Sequence, residues 1–420
     1  MMYYSKVPVR IEELDQSFEI FNNTWMYLLD QVKLNLDYVF ENQNSQLSSY
    51  LEFMTINWFE KQSSGNKIAF AATGRSLFMG AKILAHRLAQ MGYNVDYPHS
   101  EKEISGPPFS KINKDDCLIA ISTSGTTASV VQKVEFCREV NCDIIINTSN
   151  PKSKITQGVS KLILDVPEKH ELDFLTDKYK GKFFAPLGTA SEITHFIFAE
   201  TISRGIYEVK NDSKTIDSAI NIMKETYNKM IENARGHITK CIQSSEEDLK
   251  NFLTNLILKY FSQHTVHLLG RGKIYDVQIA PFEMRLRQMP HGYVTSIIGY
   301  SPKNRPVRPG QIALLSTGSG ALSMTAKRVK DFGALLIGIT SQKQSEFFDE
   351  LDIKILLPGR ITKKPYDWEK RQYEGGHAEF APDGSQYEFN GSLLLESIFA
   401  GLCNYIGITE SDLKFGHANL

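Results

Sequence analysis

Cysteine is scarce: five of 420 residues (Cys117, Cys137, Cys142, Cys241 and Cys403), an odd and scattered set with no C-x-x-C pair and no His at zinc-finger spacing. Neither a disulfide framework nor a structural zinc site is expected, and the thiols read as reduced and mostly buried. An excess of one charge is lacking too. Forty-seven Lys and Arg stand against 48 Asp and Glu, a formal net charge of −1, so no global field gathers phosphate backbones or anionic lipid. Nucleic acid and membrane are not expected partners. No apolar run approaches the roughly 18 residues that span a bilayer, and Met1–Pro8 shows no charged segment leading into an apolar stretch. A soluble protein without a secretory signal is expected, cytoplasmic by default. The G-x-G-x-x-G fingerprint is missing as well, since the next glycine after Gly74 is Gly80, and a nicotinamide cofactor is disfavoured.

What the chain does have is a change of texture along its length. Residues 11–62 are helical in pattern, with Ile11, Leu14, Phe18, Phe21, Trp25, Leu28, Leu29 and Val32 at three- and four-residue steps. From Lys67 short apolar runs alternate with helical stretches: Ile68–Ala72, Leu77–Met91, Cys117–Ser122, Ser129–Val140 and Ile144–Asn147. This alternation marks a parallel sheet covered by helices. Residues 212–260 return to charged amphipathic helix, and the α/β texture resumes at Val266.

The second α/β stretch repeats the first. Phe70–Arg75 answers to Val266–Arg271, Ile121-Ser122-Thr123 to Leu315-Ser316-Thr317, Thr148-Ser149 to Thr340-Ser341, and Ala185–Glu192 to Ala381–Glu388, all at shifts of 192 to 196 residues. A tandem duplication of one α/β domain is expected, with N-terminal helices over 1–62, domains over 63–210 and 262–420, and a helical linker over 211–261.

Three motifs carry chemistry. Ser122-Thr123-Ser124-Gly125-Thr126-Thr127 follows a strand and enters a helix, so unpaired N–H groups, hydroxyls and the positive end of the helix dipole converge where a phosphate monoester fits. A single N-capping Ser or Thr is the plainer explanation, and it leaves the other hydroxyls unused. Gly74-Arg75-Ser76 occupies the turn after the first strand, where Gly allows a tight bend and Arg75 can reach an anion or stay solvated; Arg271 is read as its counterpart. Pro186–Glu192 opens a helix, with Thr189 as N-cap and Glu192 three residues on, which suits a capping box and equally suits a proton-moving carboxylate beside a phosphosugar cleft. Glu388 repeats that position behind Ser385.

Gly74-Arg75-Ser76, Arg87-Leu88…Gly92-Tyr93, Ile121-Ser122-Thr123-Ser124-Gly125, Pro186-Leu187-Gly188-Thr189 and the ending Gly416-His417-Ala418-Asn419-Leu420 together resemble the SIS (sugar isomerase) domain. Within it, the likeness is greatest to 6-phospho-3-hexuloisomerase. The resemblance covers roughly residues 65–208 and 262–420. It implies two SIS domains, each a five-stranded parallel sheet flanked by helices in a flavodoxin-like three-layer arrangement, and isomerisation of a ketose or hexulose phosphate through an enediol, without metal or organic cofactor. By the same resemblance Ser122, Ser124, Gly125 and Thr127 hold phosphate with Thr148 and Ser149 nearby, Glu192 or Glu388 is the base, and His417 supplies a proton. Hexulose-phosphate isomerases assemble as tetramers of single domains, so a homodimer of this chain is expected.

The sequence departs from the family in each half. The first repeat lacks the His-Ala-Asn-Leu ending, and the second has a thinner turn, Ser316-Thr317-Gly318-Ser319-Gly320-Ala321, plus an extra charged segment over 360–376. Either the halves share a site or one site has decayed. Aminosugar-phosphate isomerases or deaminases, phosphoglucose/phosphomannose isomerases and non-catalytic phosphosugar-binding regulators remain alternatives.

Overall fold

The computed structural model describes residues 10–58, 65–98, 111–158, 162–168, 173–186, 188–298, 305–360 and 380–417. Two helices open the chain, α1 (Ile11–Asn42) and α2 (Asn44–Glu52). Then come β1 (Ile68–Ala71), α3 (Gly74–Ser76, a π turn over Leu77–Ala81, and Lys82–Gln90), β2 (Cys117–Ile121), α4 (Ala128–Glu139), β3 (Asp143–Thr148), β4 (Leu162–Asp165), α5 (Asp173–Lys178) and α6 (Thr189–Asn211). The long α7 (Ile216–Ser262) leads to β5 (Val266–Leu269), α8 (a π turn over Tyr275–Ile279 and Ala280–Gln288) and β6 (Thr295–Ile297). β7 (Ile312–Thr317), α9 (Ser323–Asp331), β8 (Leu335–Thr340), α10 (Glu346–Glu350), β9 (Ile353–Leu356), α11 (Gln386–Ile406) and α12 (Glu410–His417) complete the order.

All named strands pair in parallel, and the second sheet has the order β6-β5-β7-β8-β9, the doubly wound order of flavodoxin-like folds. The first sheet, β1-β2-β3-β4, has four strands where five were expected. Val95 makes only an isolated parallel bridge to Ile68 at the fifth position, and Pro98, which has no N–H to give a ladder, follows three residues on. Strand faces alternate between two cores. Ile68, Phe70, Ile119, Ile121 and Ile145 join one with α2, α3 and α6, while Ala69, Ala71, Leu118, Ala120 and Ile146 face Val130, Val131 and Val134 of α4. Strands buried on both sides read as continuous apolar runs, which is why they were legible as buried β.

The halves are tied by two long helices. α1 places Phe18 and Phe21 in the second-half core and Trp25 to Phe40 in the first-half core. α7 does the same, with Ala219 to Ile238 in one and Cys241 to Tyr260 in the other. Its break at Ser245 (φ −139°) falls where the Ser245 hydroxyl accepts a hydrogen bond from Leu356 N of edge strand β9, 3.2 Å away. Among the described residues no helix is long and apolar enough to cross a membrane.

Candidate functional site

β2 ends at Ile121, and the turn that follows is held by its own hydroxyls. Gly125 N–H donates to Ser122 Oγ (3.2 Å), and Ser124 Oγ accepts from both Thr126 N (3.2 Å) and Thr126 Oγ1 (3.1 Å). Gly125 has φ +64°, and a Cβ there would lie 2.0 Å from Ser153 Oγ, so only glycine lets the chain turn in this space. No side chain caps α4, whose N-cap is Thr127, and an uncapped helix start of this kind can receive an anion. Thr148 is fully buried and staples the turn to β3, its Oγ1 donating to Thr123 O at 3.3 Å.

Three hydroxyls then lead away from the turn. Thr123 Oγ1 and Ser191 Oγ share a hydrogen bond of 3.2 Å, as do Ser191 Oγ and Ser149 Oγ. Ser191 lies in the first turn of α6, directly before Glu192. The N-cap of that helix is Gly188 at φ +70°, not Thr189. Thr189 Oγ1 bonds back to Pro186 O, so the capping box is absent and Glu192 is left for other work. Its carboxylate faces Arg75, with Oε2 3.1 Å from Nη1. Burial pushes the Glu192 carboxyl up to about 8 against the pull of Arg75, helped by the nearby charges of Glu396 and Glu168. A carboxyl raised to about 8 beside a turn lined with hydroxyls has the chemistry to take and return a proton.

Arg75 follows Gly74 (φ +57°) and is only 3% exposed. It lies between Glu192 and Glu396, whose Oε1 is 2.7 Å from Nη2, and is therefore engaged by carboxylates. Ser76 beside it is also buried.

At the turns after the first and second strands the halves correspond at shifts other than those read from sequence, while Thr148 with Thr340 and Glu192 with Glu388 stay as read. Gly74 and Gly272 both have positive φ (+57° and +58°), and the two π turns start at Leu77 and Tyr275; both pairs give 272 − 74 = 275 − 77 = 198. The residue opposite Arg75 is thus Lys273, not Arg271. Gly270, the residue matched to Gly74 by sequence, is instead a packing glycine: a Cβ there would stand 2.7 Å from Ile279 Cγ1. Arg271 is exposed at the edge of a cavity of about 530 Å³ with Tyr275, Arg328 and Phe332. Likewise Gly125 matches Gly320 (φ +72°), which sets Ser122 against Thr317, Ser124 against Ser319 and Thr127 against Leu322. Ser316 belongs to β7 and is fully buried, its Oγ donating to Gln278 Oε1 at 2.6 Å.

The second cleft is filled. Tyr387, which stands where the first half has Ser191, is 3% exposed; its hydroxyl donates to Ile339 O (2.8 Å) and lies 3.1 Å from Ser316 Oγ. A Cβ on Gly318 would meet its ring at 3.1 Å. Thr317 and Ser319 hydroxyls lie 3.4 Å apart on the thinner turn. Glu388 is half-buried and, among the described residues, closes no ion pair. His417 ends α12, and its side chain, like residues 418–420, lies outside the described part of the chain; so does most of the charged segment 360–376.

Sequence reasoning gave no role to Arg285, Glu396, Lys273, Ser191 or Glu168. One signal was present: Glu396 interrupts the apolar run Leu393-Leu394-Leu395-Glu396-Ser397-Ile398-Phe399, and an acid there needs a buried partner. That partner is Arg285, 1% exposed, with Nε 3.3 Å from Glu396 Oε2.

Comparison with known proteins bears on the domain and the fold. The SIS domain model matches residues 63–178. An uncharacterized protein of Methanothermobacter thermautotrophicus is 30% identical over 145 residues, covering 33% of this chain and 70% of the relative. Arabinose 5-phosphate isomerase KdsD of Francisella tularensis is 32% identical over 99 residues, 24% of this chain and 30% of the enzyme. The fold is shared with tagatose-6-phosphate ketose/aldose isomerase from Escherichia coli, with a TM-score of 0.57 at 15% identity over 93% of this chain and 92% of the other. It is shared too with the C-terminal domain of glucosamine-fructose-6-phosphate aminotransferase from Francisella tularensis, with a TM-score of 0.56 at 15% identity over 89% and 97%. The chain thus carries an SIS domain over residues 63–178.

Proposed function

We propose that the protein is a phosphosugar isomerase whose working site is the cleft of the first half. The observation that supports this most is the hydroxyl path Thr123–Ser191–Ser149, which joins the Ser122–Thr127 turn to the first turn of α6 and so to Glu192. On this reading the N–H groups and hydroxyls of Ser122, Ser124, Gly125 and Thr127 hold the phosphate. Ionised Glu192 takes the proton from the carbon next to the carbonyl, giving an enediol, and returns it to the neighbouring carbon while one oxygen gains a proton and the other loses one. Glu192 would act as base in its ionised fraction, so turnover rises as pH passes through about 8. His417 stays the proposed acid at the sugar oxygens: its helix α12 packs on α8, which carries Arg285, 3.9 Å from Glu192.

The substrate class is a ketose or aldose phosphate. A hexulose phosphate comes first from the motif resemblance, and arabinose 5-phosphate and tagatose 6-phosphate follow from the names of the relatives. Each is incubated with the protein in D₂O buffer without added cofactor and followed by NMR. Isomer formation with deuterium at the carbon beside the carbonyl is expected for at least one. Binding of these phosphates with neither isomer nor exchange would overturn the enzyme in favour of a phosphosugar-binding regulator.

A further inference from the structure

Two sets of buried charges cross the boundary between the halves, built on the same plan but with one difference. In the first, Arg75 of α3 reaches Glu192 Oε2 (3.1 Å) and, across the boundary, Glu396 Oε1 on α11 (2.7 Å). Arg285 of α8 holds the other oxygen of Glu396 at 3.3 Å, and its Nη2 donates to Pro186 O at 2.9 Å and to Thr189 Oγ1, at the entry of the helix that carries Glu192. In the second set Lys273 stands in the place of Arg75, Glu200 in that of Glu396, and Arg87 in that of Arg285. Lys273 Nζ is 3.3 Å from Glu200 Oε1 and donates to Ser385 Oγ at 2.9 Å, while Arg87 donates to Glu200 Oε2 at 2.8 Å. A guanidinium is a planar fork that serves two carboxylates at once, whereas an ammonium is a point charge. Hence Arg75 bridges Glu192 and Glu396 directly, whereas Lys273 closes its ion pair with Glu200 and feels Glu388 only through its charge.

The two carboxylates compete for Arg75, and Glu396 is better placed. It has the shorter contact and a second arginine, so although burial raises both carboxyls the arginines oppose that more closely at Glu396, while Glu192 has Arg75 at the longer distance and Arg285 only at 3.9 Å. The charged groups that face Glu192 are thus Arg75 from α3, Arg285 from α8, Glu396 from α11 and Glu168 from the segment after β4. We propose that Glu396 is a positioning residue for Glu192: by holding Arg75 from across the boundary, the second half decides whether the carboxyl in the first-half cleft carries its proton. This rests on the reading of Glu192 as the proton-moving group.

The test is the titration of Glu192 itself. Full-length protein is labelled with δ-¹³C glutamate, and the Glu192 resonance is assigned by its loss in Glu192→Gln. With Glu396→Gln, Arg75 is released to Glu192 alone, and the Glu192 midpoint falls by one pH unit or more, a tenfold change in proton affinity. Glu396→Asp keeps a carboxylate against Arg285 but draws it back from Arg75, so it shifts the midpoint in the same direction by less, and it serves as the readout if the Gln variant does not fold. An unchanged midpoint in a variant with native circular dichroism overturns the proposal. Failure of the enzyme reading would show elsewhere, as undiminished turnover in Glu192→Gln, because the titration does not depend on a substrate.

Discussion

Ser124 Oγ accepts two hydrogen bonds from Thr126, so the hydrogen it has left to give points out of the turn. A hydrogen bond to a charged phosphate is worth about 1.5–3 kcal/mol. Ser124→Ala should therefore weaken phosphosugar binding by roughly tenfold or more, read by calorimetry with the fold checked by circular dichroism. Glu192 makes a different forecast. Its carboxyl is raised in the folded protein, to about 8, so the native state binds more protons than the unfolded chain between about pH 4.3 and 8. The stabilisation is complete below the unfolded value and is lost as pH rises through about 8. Glu192→Gln, which imitates the protonated form, should match the wild type in melting temperature at pH 4 and exceed it at pH 9; an equal loss of stability at both pH values would contradict this assignment. Glu200 behaves in the opposite sense: burial pushes its carboxyl up, but Arg87 and Lys273 outweigh that and hold it at about 2. Two glutamates on one helix thus differ in charge at neutral pH, and their spacing in sequence could not have told them apart.

At the scale of elements, the turn after β2 depends on Gly125. Gly125→Ala must move Ser153 and forces a Cβ into a left-handed backbone, so it should abolish phosphosugar binding while the rest of the chain melts cooperatively; retained affinity would show that the turn is not the anion site. The strands and the first hydroxyl turn were legible because both signals are local: apolar runs buried on both faces, and hydroxyls clustered after one of them. The counterpart of the Gly74 turn was not. Gly270 and Gly272 compete for one alignment, and backbone φ, which the sequence does not display, selects Gly272. The repeat aligns Tyr387 with Ser191, but that its hydroxyl reaches Ile339 O and its ring packs against Gly318 depends on residues distant in sequence. Calorimetric titration with a phosphosugar ligand should accordingly find one site per chain, and two equal sites would mean that Tyr387 moves aside.

Across the whole molecule, the halves are joined by more than a linker. α1 and α7 each run through both cores, and Arg75, Arg285, Arg87 and Lys273 cross or border the boundary with carboxylate partners. Removing one member of such a buried pair typically costs about 3–5 kcal/mol, which makes the relative placement of the halves a property of specific residues. Both halves carry a parallel sheet, and Arg285, which Glu396 holds in the second half, braces the entry of the first-half helix that carries Glu192. The central claim is that proton transfer belongs to the first-half cleft. It is tested most directly by comparing Glu192→Gln with Glu388→Gln for deuterium exchange into a turned-over ketose phosphate in D₂O. General acid–base groups contribute about 10²–10⁴-fold, so exchange should fall at least a hundredfold in Glu192→Gln and stay near wild type in Glu388→Gln. Exchange that survives the first substitution and collapses with the second would place the chemistry in the other half.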